Sequence, residues 1–255
     1  MTLTLTTVPC LKDNYAFIIG NPQTREAAVI DVPEAGPVNA AIAAGNWTLT
    51  TVLLTHHDWD HIDGLDGLEN RDTLTVIGAA ADAHRLPPLD LAIAEHDTIN
   101  VCGESAVVID VSGHTIGHVA YYFATTGLAF TADSLMALGC GRLWEGTHAQ
   151  AWESLQKLRA LPPETLICSG HEYTAANARF AITLDPDNPD LKSRIEEINT
   201  KRAAQQPTVP SSLALEIRTN PYLRVDHPEF KSAIAMPDAD ALAVFTQIRT
   251  RKDNF

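Results

Sequence analysis

The stretch VLLTHHDWDHIDG, residues 52–64, runs from an apolar segment into side chains that repel one another or at best hydrogen-bond. Val52, Leu53 and Leu54 give way almost at once to His56, His57, Asp58, Asp60 and His61. A divalent cation relieves such crowding, because imidazole nitrogens and carboxylates are both ligands for it. The setting matters as much as the composition. A short aliphatic run bounded by turn-forming residues reads as a buried strand, so the cluster begins where a strand stops.

The same arrangement recurs along the chain. YAFIIG (15–20), AAVIDV (27–32), TTVLLTH (50–56), LTVIGA (74–79), AVVIDVSGH (106–114), VAYYFAT (119–125), LAFTAD (128–133) and TLICSGH (165–171) all read as strands. Helical patterns fall between them, over 38–46, from about Ile62, and over 148–161, where Pro162 and Pro163 end the helix. Strands interleaved with helices predict a layered α/β domain. Four of the strands stop at His56, His114, Asp133 and His171. Side chains leaving one sheet edge can converge on a point, and α/β folds place their sites at such edges, so these residues are expected to surround metal. His84, His96 and His227 lie in polar stretches and are expected to be solvated. His57 alternates away from His56 and Asp58 and is expected to point outward. His118 is read as a hydrogen-bonding support for His114.

After His171 the pattern becomes helical, with segments over 175–184, 189–206 and 238–255 separated by Pro-rich stretches. The predicted organisation is an α/β domain over 1–173 and an α-helical one over 174–255. Arg249, Arg251 and Lys252 cluster at the end of a chain that has only 18 Lys and Arg. They either complement a helix dipole or bind the carboxylates of a substrate.

The formal charge of −14 argues against nucleic acid or an anionic membrane as partner. No apolar run approaches the roughly 20 residues needed to span a bilayer, and the start lacks the pattern of a signal peptide. Cys10, Cys102, Cys140 and Cys168 lie far apart without CxxC spacing, as buried, reduced thiols do in a cytosol. A cytoplasmic monomer is the expectation.

THHDWDH resembles the T-H-x-H-x-D-H signature of the metallo-β-lactamase superfamily. SGHTIGH, FTADSLMALGCGRLWEGT, SGHEYTAANARFA, PTVPSSLALEIRTNPYLR and the terminal RKDNF narrow the resemblance to glyoxalase II, the hydroxyacylglutathione hydrolases, over nearly the whole chain. The resemblance implies an αββα sandwich followed by a small α-helical domain that binds glutathione. It implies two divalent metal ions, zinc foremost, with iron or manganese also tolerated. His56, Asp58 and His114 would hold one ion and Asp60, His61 and His171 the other, with Asp133 between them. Arg142, Trp144, Tyr173, Arg249 and Lys252 would face the glutathione part of the substrate. The implied reaction is hydrolysis of a thioester such as S-D-lactoylglutathione to D-lactate and glutathione by a metal-bridging hydroxide, which Asp60 and Asp133 orient.

Asp58 departs from the signature, which has His there. Asp reaches about as far as a His Nδ1, but it adds a negative charge and a harder oxygen donor, favouring iron or manganese somewhat over zinc. Two alternatives therefore stand beside the hydrolase. One is a mononuclear-iron sulfur oxidoreductase resembling the persulfide dioxygenases. The other is a metal- or glutathione-binding relative whose activity Asp58 reduces.

Overall fold

The computed structural model describes residues 2–255. The chain forms two compact units, one of residues up to 110 together with 116–132, the other of 111–115 together with 133–255.

The first unit contains two sheets. Strands β1 (Thr4–Cys10), β2 (Asn14–Gly20), β3 (Glu26–Ile30), β4 (Thr48–Leu53), β5 (Thr75–Ala79) and β6 (Leu91–Ile93) form one sheet in chain order. Its first three strands are antiparallel and β3 to β6 are parallel. Helix α1 (Ala35–Ala44) supplies the crossover from β3 to β4, and its Val38 joins Val29, Val52 and Val76 in a core on one face. The second sheet is an antiparallel meander of β7 (Thr98–Val101), β8 (Glu104–Asp110), β9 (Val119–Phe123) and β10 (Leu128–Ala132). Phe17 of β2 packs on Phe130 of β10 at 5.7 Å, and the buried Tyr121 hydroxyl donates to the Leu54 carbonyl at 2.7 Å. The two sheets are thereby layered face to face.

In the second unit a tight hairpin, β11 (Leu135–Met136) and β12 (Gly139–Cys140), precedes helix α3 (His148–Arg159). A capping box between Thr147 and Gln150 starts α3. Strand β13 (Leu166–Ser169) follows, then α4 (Thr174–Leu184) and α5 (Pro189–Ala203). β14 (Ser211–Ser212) pairs antiparallel with β13, and α6 (Leu213–Thr219), α7 (Pro228–Ala233) and α8 (Ala241–Asp253) complete the unit. Leu138, Ala178, Ala181, Leu191 and Ile198 form a core between the hairpin, α4 and α5.

All eight expected strands are present, but their ends need correction. β4 stops at Leu53, β8 at Asp110 and β13 at Ser169, so His56, His114 and His171 lie beyond the strand ends, His171 in an isolated bridge. At β4 the cause is local: the Thr55 amide donates to the Asp31 carboxylate at 2.9 Å, which takes the chain off the ladder. β1 escaped the sequence reading because its Thr-rich alternation, with Pro9 on an edge strand, carries little apolar signal. The short helices α6 and α7 are too brief for a periodic pattern.

Candidate metal and substrate site

Within the first unit, the residues of the opening stretch are held by a buried carboxylate that sequence reading missed. Asp31, 2% exposed, accepts the Thr55 amide at 2.9 Å, the Thr55 hydroxyl at 2.8 Å and His61 Nδ1 at 2.8 Å. The Thr55 hydroxyl also lies 2.9 Å from His56 Nδ1. Both rings are fully buried and lie 4.2 Å apart, and each uses Nδ1 for support, which leaves Nε2 as the nitrogen that could ligate a metal. Helix α2 (Trp59–Ile62) carries Asp60 and His61. Its register is set by the Val32 amide, which donates to the His61 carbonyl at 2.8 Å. Asn14, at the start of β2, donates to the Asp60 carbonyl and to its Oδ2, at 2.9 and 3.0 Å, and so fixes that carboxylate. Asp58 occupies the N-cap position without capping the helix through its side chain. Its Oδ2 lies 3.8 Å from His56 Nε2 and its Oδ1 3.7 Å from His57 Nε2.

One histidine expectation is corrected here. His57 is not directed at solvent: its Nδ1 lies 2.8 Å from the fully buried carboxylate of Asp82, which Arg85 also binds at 2.6 Å. His118 stacks on His56 at 4.5 Å with an 8° interplanar angle, and its Nδ1 lies 3.2 Å from the Val119 carbonyl oxygen. His84 and His96 are exposed and His227 is half-exposed.

The second unit brings together His114, Asp133 and His171, each nearly buried. Asp133 Oδ2 lies 3.7 Å from His114 Nε2 and 3.3 Å from His171 Nε2. His114 Nδ1 meets the Arg142 carbonyl at 2.6 Å. Gly141 is required beside them, since a Cβ there would fall 1.9 Å from the Asp133 carbonyl oxygen. Tyr173 stacks on His171 at 4.5 Å and 7°. Arg142 and Trp144 are exposed and lie against each other at 4.6 Å. Lys252, on α8, stands over the rings of Phe180 and Phe255 at 5.1 and 5.3 Å. Burial, then the charges of Arg249 and Arg179, lower its pKa. Arg249 is only 5% exposed; Nη1 donates to the Cys140 carbonyl at 3.0 Å and Nη2 to Asp253 at 3.0 Å.

These residues fit divalent metal. Tetrahedral ligands at roughly 2.0–2.2 Å from an ion stand about 3.3–3.6 Å from one another. The spacings of Asp133 to His171 and to His114 are close to that, and longer than a hydrogen bond. The supporting acceptors at Nδ1 of His56, His61 and His114 match the way ligating rings are held.

Comparison with known proteins identifies the family. Residues 14–171 match the model of the metallo-beta-lactamase superfamily and residues 172–255 that of the hydroxyacylglutathione hydrolase C-terminus. A hydroxyacylglutathione hydrolase of Jannaschia sp. is 60% identical over 249 residues, covering 98% of this chain and 97% of the relative. This chain belongs to the hydroxyacylglutathione hydrolase family. A further relative of that name, from Cereibacter sphaeroides, is 58% identical with both chains covered completely. Among solved structures, ETHE1 from Myxococcus xanthus covers 99% of this chain and 98% of its own, at 23% identity and a TM-score of 0.63. The di-iron-bound form of TTHA1623 covers 86% of this chain and 100% of its own, at 22% identity and a TM-score of 0.62. Those two likenesses show a shared fold; the family matches assign residues 14–171 to the metallo-beta-lactamase part and 172–255 to the C-terminal part, which is mainly helical here. Metal ions belong to that family and fit these His and Asp clusters. No helix among the described residues is long and apolar enough to cross a membrane.

Proposed function

We propose that this hydroxyacylglutathione hydrolase family member hydrolyses S-(2-hydroxyacyl)glutathione thioesters, S-D-lactoylglutathione being the simplest, to glutathione and a 2-hydroxy acid. The observation that carries the reading is 60% identity over nearly the full length to a relative of that name. The same breadth of similarity favours hydrolysis over a sulfur oxidoreductase or an inactive binding protein.

His56, Asp58 and His114 would hold one divalent ion and Asp60, His61 and His171 the other, with Asp133 shared. Zinc is the proposed metal, with iron or manganese accepted. Such ions lower the pKa of water and polarise a carbonyl. The chain's own part is placement. Asn14 holds the Asp60 carboxylate and Asp31 orients His61. A thiolate is a good leaving group, since thiols ionise near pH 8.5, so no general acid is required from the protein. Arg142, Trp144, Tyr173 and Lys252 would receive the glutathione part, with Arg249 beneath them. The catalytic part would be 1–173 and the substrate-binding part 174–255, a division close to the boundary between the two family matches. Four free, buried thiols support a reducing, cytoplasmic setting, and a monomer suffices for this site.

The test follows loss of thioester absorbance with S-D-lactoylglutathione while metal is quantified in the same preparation. Turnover that a chelator abolishes is expected. Metal-loaded protein that leaves the thioester intact, or that consumes oxygen with glutathione persulfide instead, overturns the reading.

A further inference from the structure

The turn between Asp133 and Arg142 is short, yet its backbone is held by four polar side chains from the helical part of the second unit. Asn177 of α4 donates to the Ala137 carbonyl at 3.1 Å. Glu216 of α6 accepts the Leu138 amide at 2.9 Å. Asn220, which follows α6, donates to the carbonyls of Met136 and Gly139, both at 3.0 Å. Arg249 of α8 donates to the Cys140 carbonyl at 3.0 Å and the Gly141 carbonyl at 3.4 Å. All four side chains are at least nine-tenths buried, and Glu216 and Asn220 are fully buried. Glu216 is itself paired with the buried Arg194 and bonded to Ser211.

A substrate pocket needs no such set. Buried charge and amide groups cost free energy unless they find partners, and here all four find one in the backbone of a single turn, beside the Glu216–Arg194 and Arg249–Asp253 pairs. That turn ends in two contacts with the metal ligands. Gly141 lies so close under Asp133 that a Cβ would meet its carbonyl at 1.9 Å, and the Arg142 carbonyl meets His114 Nδ1 at 2.6 Å.

We infer that Asn177, Glu216, Asn220 and Arg249 are positioning residues for metal, setting the placement of Asp133 and His114 through the 136–142 backbone. The helical C-terminal part thus organises the metal centre as well as receiving substrate, and Arg249 acts from below the surface on the turn. The inference rests on the reading of Asp133 and His114 as ligands.

The experiment measures metal affinity without substrate, by titrating metal-stripped protein with Co(II) and recording its visible absorption. Asn220→Ser removes both donors while keeping an oxygen able to accept the Tyr222 amide, which Asn220 Oδ1 now accepts at 3.0 Å. Arg249→Lys is the second variant, in case the first fails to fold. Arg224→Ala is the control, because Arg224 binds Asp185 and the Arg218 carbonyl, away from the turn. Both clamp variants should bind Co(II) about tenfold more weakly or worse, the range seen when groups supporting a ligand are removed, with an altered spectrum. The control should lower the melting temperature alone. Unchanged affinity and spectrum in a folded clamp variant, or equal loss in the control, overturns the inference. Asp133→Asn tests the underlying reading separately: if it binds Co(II) as the parent does, Asp133 is not a ligand.

Discussion

At the scale of single residues, Asp58 is where this chain departs from the pattern its family resemblance leads one to expect. Its Oδ2 lies 3.8 Å from His56 Nε2, a separation compatible with two ligands of one ion. Replacing an imidazole by a carboxylate adds a negative charge and exchanges a nitrogen for a harder oxygen donor. Asp58→His should therefore raise the zinc fraction relative to iron and manganese when protein is loaded from an equimolar mixture and assayed by elemental analysis. An unchanged metal ratio would remove Asp58 from the ligand set. The surrounding support is already suited to a nitrogen-rich site, since Asp31 and Thr55 fix the rings of His56 and His61 independently of residue 58.

At the scale of elements, α8 gathers positive charge in a chain of net charge −14. Asp253 at its end lies 3.0 Å from Arg249 and 3.7 Å from Arg142 Nε, which ties the helix end to the loop carrying Arg142 and Trp144. Arg142 and Lys252 are the more accessible cations of this group, and Arg249 is buried. Groups that bind the glutathione moiety remotely act equally on ground state and transition state. Arg142→Ala with Lys252→Ala should raise KM about tenfold while changing kcat by no more than about twofold, and added salt should narrow the gap from the parent enzyme. Steady-state kinetics at two ionic strengths check this; an unchanged KM would mean that α8 merely ends in solvated charge.

At the scale of the whole molecule, burial silences chemistry that the sequence contains. All four cysteines are free and buried. Burial pushes the Cys10 thiol up to about 11 and Cys102 to about 12, and raises Cys168 further still. Cys140 is also raised by burial, against the opposing pull of Arg249. Thiolate is the reactive form, so the native protein at pH 8 should react with a thiol reagent at fewer than about one site over minutes, and all four should react at once in denaturant. Rapid native labelling of Cys140 would show that its surroundings open in solution.

The sequence by itself determined eight of the strands, the helical C-terminal part and the run of ligand-type residues over 56–61, because these are written in local periodicity and in residue chemistry. It did not disclose β1, whose register comes from pairing with β2 and not from its own weak pattern. Nor could it disclose Asp31, Asn14 or Glu216 as supports, since an isolated Asp, Asn or Glu looks like a solvated surface residue until the fold removes water from it. The same holds for His57 and His118, whose partners Asp82 and His56 are chosen by packing. Tertiary structure alone decided these, because a buried polar group must find its partner wherever the fold brings one within reach, however far away that partner lies in sequence.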